Sequence, residues 1–260
     1  MEKEVTLTND QMLRYARHII LEGIGIEGQK KLLSSKVLVV GAGGLGSPVM
    51  YYLSAIGIGK IGIVENDVVE LSNLQRQIIH DSQHIGVHKG ELAKKKINAL
   101  NPETEVELFK TFLDATNATE IVNKYDVIID CTDNLQTRLL LNDTSYLLGK
   151  PLVHGAVSEF TGQVSVFIPG ENTPCYRCIY EEPSTELTTS CRERGILGSV
   201  AGVIGTIQAT ETIKVILGIG ESLVGKLLVY EALKAKFSIF TIKKNSSCPL
   251  CNKNLKIKNL

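Results

Sequence analysis

The feature that most constrains this chain is a glycine loop, Gly41-Ala-Gly-Gly-Leu-Gly46, which directly follows an apolar run at residues 37–40. Such a run is typical of a buried parallel strand, and the residues after the loop favour a helix that extends to about residue 56. Glycines between a strand and a helix allow a tight turn and a close approach of the backbone to a phosphate. The pattern predicts a nucleotide-binding unit, although the same glycines can also form a turn that binds no ligand. The predicted phosphate-binding residues are Gly41, Gly43, Gly44 and Gly46.

Strand and helix patterns alternate through the first half of the chain. Residues 61–65 and 126–130 are two further β-runs, and each ends in an acidic residue. Helical patterns cover residues 90–100 and about 135–148. Alternating elements of this kind form right-handed βαβ units. We therefore predict an α/β fold with a doubly wound, Rossmann-like sheet.

The second half of the chain has a different pattern, which predicts a mixed or antiparallel elaboration of the sheet. Its predicted elements are strands at 152–157 and 163–168, an apolar helix at about 197–217, and a closing antiparallel pair at 226–230 and 237–242. A helical pattern at residues 9–21 precedes the first strand.

No internal repeat or long linker divides the chain, so we predict a single domain over residues 1–251. It comprises an N-terminal helical segment (about 1–36), a nucleotide-binding part (37–150) and a C-terminal part (151–251). Residues 252–260 are polar and basic, and we expect them to form a frayed tail.

Composition argues against several classes of partner. Lys+Arg and Asp+Glu number 28 each and the chain has no Trp, so neither a basic surface nor a stacking platform for nucleic acid is expected. The uncharged stretch at 37–59 contains several glycines and a proline, and the one at 195–210 contains Ser, Thr and Gln. These residues disfavour a membrane span in either stretch. The N-terminus lacks the apolar core of a secretory signal. We expect a soluble, cytoplasmic protein.

Charged residues near the ends of the predicted strands indicate phosphate chemistry. Glu65 ends the second β-run, where an acid can accept a hydrogen bond from a ribose hydroxyl, and Asp67 follows it. Arg76 and Lys89 are suited to neutralising a triphosphate that an anionic nucleophile must approach. Asp133 follows a strand and offers oxygen ligands to Mg²⁺. Taken singly, each of these residues is more typical of a solvated surface, but their common placement favours a site for ATP over a nicotinamide site.

Two C-x-x-C pairs, far apart in the chain, predict a closed zinc site. Cys175 and Cys178 form the first pair, and Cys248 and Cys251 form the second. Together they supply four thiolates, which is the ligand set of a structural Zn²⁺. A redox-active dithiol is the competing interpretation, and two pairs make it less economical.

Cys191 lies in a polar segment, and Arg192 and Arg194 follow it closely in the sequence. Neighbouring positive charge lowers the pKa of a thiol, so Cys191 is a candidate nucleophile, and an unreactive loop thiol is the alternative. The histidines form no recognisable ligand pattern, and no chemistry is assigned to them.

In combination, these motifs resemble the ThiF/MoeB/HesA family over about residues 8–251. The motifs are Arg14-Tyr-Ala-Arg17, the glycine loop, Leu71-Ser-Asn-Leu-Gln-Arg-Gln77, Asp130-Cys-Thr-Asp-Asn134 and the two C-x-x-C pairs. The resemblance implies a homodimer that uses ATP to adenylate the C-terminal glycine of a small ubiquitin-like sulfur carrier ending in Gly-Gly, with release of pyrophosphate. Carriers of this kind are ThiS- or MoaD-like and serve thiamine or molybdopterin biosynthesis.

The resemblance also implies roles for individual residues. Arg76, Lys89, Asp133 and Asn73 fall on nucleotide or metal positions, and Arg14 falls on an arginine that reaches the partner subunit's ATP. Cys191 matches a loop cysteine that can link covalently to the carrier in ThiF-like members. Residues 151–251 become the carrier-binding and zinc part, and a separate donor such as a cysteine desulfurase or rhodanese is expected to supply sulfur.

One residue departs from the family pattern, and other activities stay open. Glu65 stands where the family usually has aspartate, which changes the geometry towards ribose. The same fold and ATP site would serve activation of a small-molecule or peptide carboxylate. The glycine loop alone would also serve an NAD-dependent oxidoreductase. A binding module that has lost catalysis is disfavoured because Arg76, Lys89 and Asp133 are all present.

Overall fold

The computed structural model describes residues 6–180 and 195–252. Eight strands form one mixed sheet in the order β3-β2-β1-β4-β5-β6-β7-β8. The strands are β1 Lys36–Val40, β2 Lys60–Val64, β3 Glu105–Phe109, β4 Val127–Asp130, β5 Leu152–Ser158, β6 Thr161–Phe167, β7 Lys226–Glu231 and β8 Lys236–Thr241. The first five strands in this order, from β3 to β5, are parallel, and β1 lies at their centre. Strands β6, β7 and β8 each pair antiparallel with the strand before them. The predicted α/β fold with an antiparallel elaboration is confirmed.

Helices cover both faces of the sheet. They are α1 Asn9–Arg14, α2 Ala16–Ile19, α3 Gly25–Ser34, α4 Gly46–Ala55, α5 Lys89–Leu100, α6 Ala118–Asn123, α7 Leu135–Leu147 and α8 Gly198–Leu217. Alternate residues of β1 face opposite sides: Val37 and Val39 pack in a core with α4, α5 and α8, whereas Leu38 and Val40 pack in a second core with α6 and α7. The two cores explain why the central strands read as continuous apolar runs.

Three elements differ from the sequence predictions. The helix predicted over residues 9–21 is two short helices, because the chain leaves helical geometry at the buried Tyr15 (φ −101°, ψ 14°). Helix α6 was not predicted, whereas α3 lies within the predicted N-terminal helical segment (about 1–36). Strand β3 was also missed, since its sequence, Glu-Val-Glu-Leu-Phe, carries two charges and lies at the sheet edge, where burial is incomplete.

Helix α8 is a core helix that packs against α4 and the sheet. A Cβ atom at Gly205 would lie 2.5 Å from the carbonyl oxygen of Leu45, so glycine permits this close approach. Among the residues that the structure describes, α8 alone is long and apolar enough to cross a membrane, and half of its most apolar window is buried within the fold.

Candidate functional site

A cavity of about 480 Å³ opens at the carboxyl ends of β1, β2 and β4. In parallel sheets this edge, where the strand order reverses, is the usual place for a ligand. The structure brings eight predicted site residues to its wall: Gly41, Gly43, Gly44, Glu65, Asp67, Arg76, Lys89 and Asp133. Gly46, Asn73 and Arg14 are not among its lining residues. Cys191 lies outside the described residues.

The glycine loop is tightly folded between β1 and α4. Gly41 has a φ of +99°, and a Cβ there would lie 2.7 Å from the carbonyl oxygen of Cys131. A Cβ at Gly46 would lie 2.1 Å from the carbonyl oxygen of Gly41. Gly46 therefore serves the turn, while Gly41, Gly43 and Gly44 bring bare backbone to the cavity.

Glu65 is hydrogen bonded to the backbone around it. Its Oε2 accepts from the Ala42 N–H at 2.8 Å, and its Oε1 accepts from the N–H groups of Asn66 at 2.7 Å and Asp67 at 2.8 Å. This carboxylate holds the glycine loop against the end of β2. Oε1 already accepts two hydrogen bonds, whereas Oε2 accepts one and retains capacity for a further donor. The predicted contact with ribose stays a prediction.

His80 binds the backbone carbonyl of the same residue, Ala42. Its ring Nε2 lies 2.9 Å from the carbonyl oxygen of Ala42. A carbonyl only accepts, so Nε2 carries the proton in this contact. Burial lowers the pKa of His80 below its usual value, which favours the neutral ring. Both backbone polar groups of Ala42 are thus fixed.

Lys89 is placed at the start of α5 with its side chain only 7% exposed. Its ammonium group lies 3.0 Å from the Asp67 carboxylate, which is half-exposed, and its backbone N–H donates to the Asp67 carbonyl at 2.9 Å. The ion pair holds a buried cation at the cavity wall. A buried charge needs such a partner, because removing an unpaired ion from water costs free energy.

Arg76 follows a short turn that Asn73 stabilises. The Arg76 backbone N–H donates to the Asn73 carbonyl at 3.1 Å, and its guanidinium donates to the Ser72 carbonyl at 3.1 Å. The Asn73 side chain is buried and accepts from the Glu70 N–H at 3.2 Å. Asn73 thus lies behind Arg76, and its direct contact with nucleotide stays a prediction.

The Asp133 loop begins where β4 ends. Asp133 is exposed at the cavity, and the neighbouring Thr132 accepts a hydrogen bond at its carbonyl from the Arg138 guanidinium at 2.7 Å. Behind the loop, the Asp130 carboxylate lies 2.7 Å from His154 Nδ1. Burial alone would raise the pKa of Asp130, but the hydrogen bond from His154 and the charge of Arg138 hold it below its usual value.

Several residues at and behind the cavity were not predicted from the sequence. Arg138 and Phe112 line the cavity, and neither was singled out. Phe112 follows β3, the strand whose pattern was too weak to predict. His154 was assigned no chemistry, although a histidine inside the apolar run Leu-Val-His-Gly-Ala-Val was a usable signal, because a buried polar group requires a partner.

The four predicted cysteine ligands converge although they are far apart in the chain. The Sγ atoms of Cys175, Cys178, Cys248 and Cys251 all lie within 4.8 Å of one another. Cys175 and Cys248 are 3.6 Å apart, and Cys178 and Cys251 are 3.3 Å apart. A tetrahedral Zn²⁺ with bonds of about 2.3 Å places its sulfurs about 3.8 Å apart. The donor set and its spacing fit zinc.

Arg14 lies on the exposed helix α1, away from the cavity wall. Its guanidinium donates to the Leu100 carbonyl at 3.1 Å, at the end of α5. Within this chain the structure does not bring Arg14 together with the other predicted nucleotide residues.

Comparison with known proteins agrees with this architecture. The ThiF family model matches residues 15–250. The sulfur carrier protein adenylyltransferase of Thermus thermophilus is 46% identical over 249 residues, covering 94% of this chain and 92% of that protein. The SAMP-activating enzyme E1 of Haloferax volcanii is 45% identical over 248 residues, covering 95% and 91%.

A longer relative matches in sequence, and a more distant protein matches in fold. The probable adenylyltransferase/sulfurtransferase MoeZ of Mycobacterium tuberculosis is 44% identical, and the match covers 96% of this chain but 64% of MoeZ. The crystal structure of E. coli MccB with ATP superposes with a TM-score of 0.79 at 22% identity, over 92% of this chain and 74% of MccB. By the family model and its full-length relatives, this chain belongs to the ThiF family.

Proposed function

We propose that this protein uses ATP to adenylate the C-terminal glycine carboxylate of a small ubiquitin-like sulfur carrier, with release of pyrophosphate. The observation that carries the proposal is the match over 92% of a relative named sulfur carrier protein adenylyltransferase. The cavity supports it, because the glycine loop, Arg76, Lys89 and Asp133 share one wall. The activated carrier would then deliver sulfur in thiamine or molybdopterin biosynthesis.

The arrangement suits attack by a carboxylate on the α-phosphate of ATP. A carboxylate oxygen bonds to the α-phosphorus, the bond to the bridging oxygen breaks, and pyrophosphate leaves with the electron pair. Both reactants are anions, so their approach requires positive charge. Arg76 and Lys89 supply it from the cavity wall, and the backbone N–H groups of the glycine loop add donors at the N-terminus of α4.

Asp133 would hold Mg²⁺ in this site. Its carboxylate is exposed at the cavity, and Mg²⁺ prefers oxygen ligands. When bound, Mg²⁺ neutralises charge on the phosphates of the nucleotide.

We further propose a structural Zn²⁺ held by Cys175, Cys178, Cys248 and Cys251. The Cys178 sulfur accepts from the Asn245 N–H at 3.4 Å. This hydrogen bond favours the thiolate, which is the form that binds metal. The metal would join residues 245–251 to the segment after β6.

The proposal also includes a dimeric assembly, a covalent step and a sulfur donor. The protein acts as a homodimer in which Arg14 enters the partner subunit's ATP site, which accounts for its distance from the cavity of its own chain. Cys191 forms a covalent link with the activated carrier, and a separate cysteine desulfurase or rhodanese supplies sulfur. We propose a cytoplasmic location.

Exchange of labelled pyrophosphate into ATP tests the activity. We expect exchange with a carrier that ends in Gly-Gly and none with the same carrier lacking its last glycine. Arg76→Ala should lower the exchange rate by about 10²- to 10³-fold, the size of effect seen when one preorganised donor is removed. Lys95→Ala, which removes an exposed charge from α5, is the control and should exchange normally. A protein that binds NADH but not ATP would contradict the proposal.

A further inference from the structure

The Asp130 carboxylate is buried behind the cavity and has several polar partners. It is 1% exposed. Its Oδ1 accepts from the backbone N–H of Thr132 at 3.0 Å and from the Thr132 hydroxyl at 2.6 Å. Its Oδ2 faces His154 Nδ1 at 2.7 Å and Arg138 Nε at 3.9 Å. A buried carboxylate is tolerated only with partners of this number and quality.

The backbone of Asp130 is held from the opposite face of the sheet. Gln208, which is fully buried on α8, donates to the Asp130 carbonyl at 2.7 Å. A Cβ at Gly155 would lie 2.3 Å from the Gln208 side chain, so only glycine leaves room for this contact. The end of β4 is therefore fixed on both faces.

These contacts leave little freedom in the loop that carries Asp133. Both Thr132 donors are directed to Asp130, and the Thr132 carbonyl accepts from Arg138 at 2.7 Å. Asn134 caps α7 by accepting from the Thr137 N–H at 2.8 Å. The residues on either side of Asp133 are thus fixed, and the conformation of Asp133 depends on Asp130.

His154 contacts the start of this loop through its hydrogen bond to Asp130. It is 1% exposed, packs edge-on against Tyr176 with ring centroids 4.8 Å apart, and does not line the cavity. Its Nε2 has no hydrogen-bond partner among the described residues. The ring therefore fits the neutral tautomer that carries its proton on Nδ1 and donates it to Asp130.

We propose that Asp130 is a positioning residue for the nucleotide site and that His154 orients its carboxylate, so that the Asp133 loop is set before ATP and Mg²⁺ bind. The inference rests on the proposed function and deepens it. It adds two buried residues to the site, neither of which contacts substrate.

A double-mutant cycle on nucleotide binding tests this role. Affinity for ATP with Mg²⁺ is measured by isothermal titration calorimetry, without a carrier. His154→Leu removes the donor to Asp130 and should weaken binding about tenfold, since hydrogen bonds to charged groups contribute on this scale. His154→Asn keeps an N–H donor near the Nδ1 position and should weaken binding less than threefold. In an Asp133→Ala background, His154→Leu should change affinity less than twofold.

Tyr125→Phe is the matched control. Tyr125 is fully buried just before the amino end of β4, which is the end far from the cavity. Its hydroxyl donates to Glu107 at 3.0 Å. This variant should lose stability without losing affinity for ATP. Thr132→Val removes only the hydroxyl bond to Asp130, so it provides the same comparison if His154→Leu does not fold.

Several results would overturn the inference: unchanged affinity in both His154→Leu and Thr132→Val, equal losses in the Asp133→Ala and wild-type backgrounds, or an equal loss in Tyr125→Phe. A wild-type protein that binds ATP but exchanges no pyrophosphate with a Gly-Gly carrier would contradict the proposed function instead, and the binding cycle would still decide the role of Asp130.

Discussion

The Glu65 carboxylate accepts a hydrogen bond from the backbone N–H of Ala42 at 2.8 Å, which joins the end of β2 to the glycine loop at the end of β1. The same carboxylate also accepts from two N–H groups beyond β2. One side chain therefore sets the relative position of two segments of the cavity wall. The extra methylene of glutamate, compared with the aspartate usual in the family, gives this carboxylate its reach.

We expect Glu65→Asp to weaken ATP binding by about tenfold, although it restores the residue usual in the family. A shorter side chain cannot accept hydrogen bonds both from the Ala42 N–H and from the N–H groups beyond β2. The loss of one hydrogen bond to a charged group costs about 1.5–3 kcal/mol. Glu65→Gln should have a similar effect, because an amide accepts at only one of its two ends. Calorimetric titration with ATP measures both variants. Tighter binding by Glu65→Asp would show that contact with ribose outweighs the loop contacts.

The cysteine cluster should bind one Zn²⁺ per chain. Elemental analysis of purified protein is the measurement, and Cys248→Ser should lower the zinc content by more than half. Cys131→Ser is the control, because Cys131 is a buried thiol outside the cluster. Hydrogen exchange should show that metal loss loosens residues 245–251 while nucleotide binding persists, since structural zinc contributes folding energy locally. A metal-free protein with a full count of reactive thiols would contradict the site.

The free energy of unfolding should fall as the pH drops below about 6.5, the usual pKa of histidine. Burial lowers the pKa of His80 and of His154 in the folded protein. Below pH 6.5 the unfolded chain therefore binds protons that the folded chain does not. The resulting slope is at most about 1.4 kcal/mol per pH unit for each histidine, until the pH reaches the folded pKa. Urea unfolding at several pH values measures it. An unchanged slope in the His80→Gln, His154→Asn double variant would contradict this assignment.

Arg14 should complete the ATP site of the partner subunit. Arg14→Ala and Lys89→Ala chains should each be inactive alone, and an equal mixture should recover about a quarter of wild-type exchange activity. Half of the random dimers are mixed, and each mixed dimer has one intact site. Mixing after mild dissociation, with subunit exchange monitored by native mass spectrometry, is the measurement. Mixed dimers without recovered activity would place both residues in the same subunit's site.

Cys191 should form a covalent link with the carrier after adenylation. Capture of the acyl-adenylate by a thiolate fits a cysteine that Arg192 and Arg194 closely follow in the sequence. Cys191→Ser should keep pyrophosphate exchange but slow conversion of the carrier to its thiocarboxylate. Intact-mass spectrometry of both proteins, with the sulfur donor present, measures each step. Conversion at the wild-type rate would show that an external persulfide attacks the adenylate directly.

Local patterns were sufficient to predict much of this protein. The glycine loop, the apolar strands and the proline and glycine positions depend on neighbouring residues, so β1, β2, β4 and the antiparallel end of the sheet follow from sequence. The four cysteines were predicted as one group because the C-x-x-C spacing limits the chemistry that such pairs perform. Strand β3 was missed because an edge strand needs no continuous apolar run.

Only the tertiary structure decided which distant residues share a contact. Glu65 reaches Ala42, and Asp130 pairs with His154, because strand order and register bring the carboxyl ends of parallel strands to one edge. Sequence placed Glu65 and Asp133 at strand ends but did not show that the Glu65 carboxylate holds the glycine loop or that a buried histidine lies behind the Asp133 loop. Residue type and spacing are local properties of the chain, whereas a buried polar side chain acquires its partner only when separate elements pack.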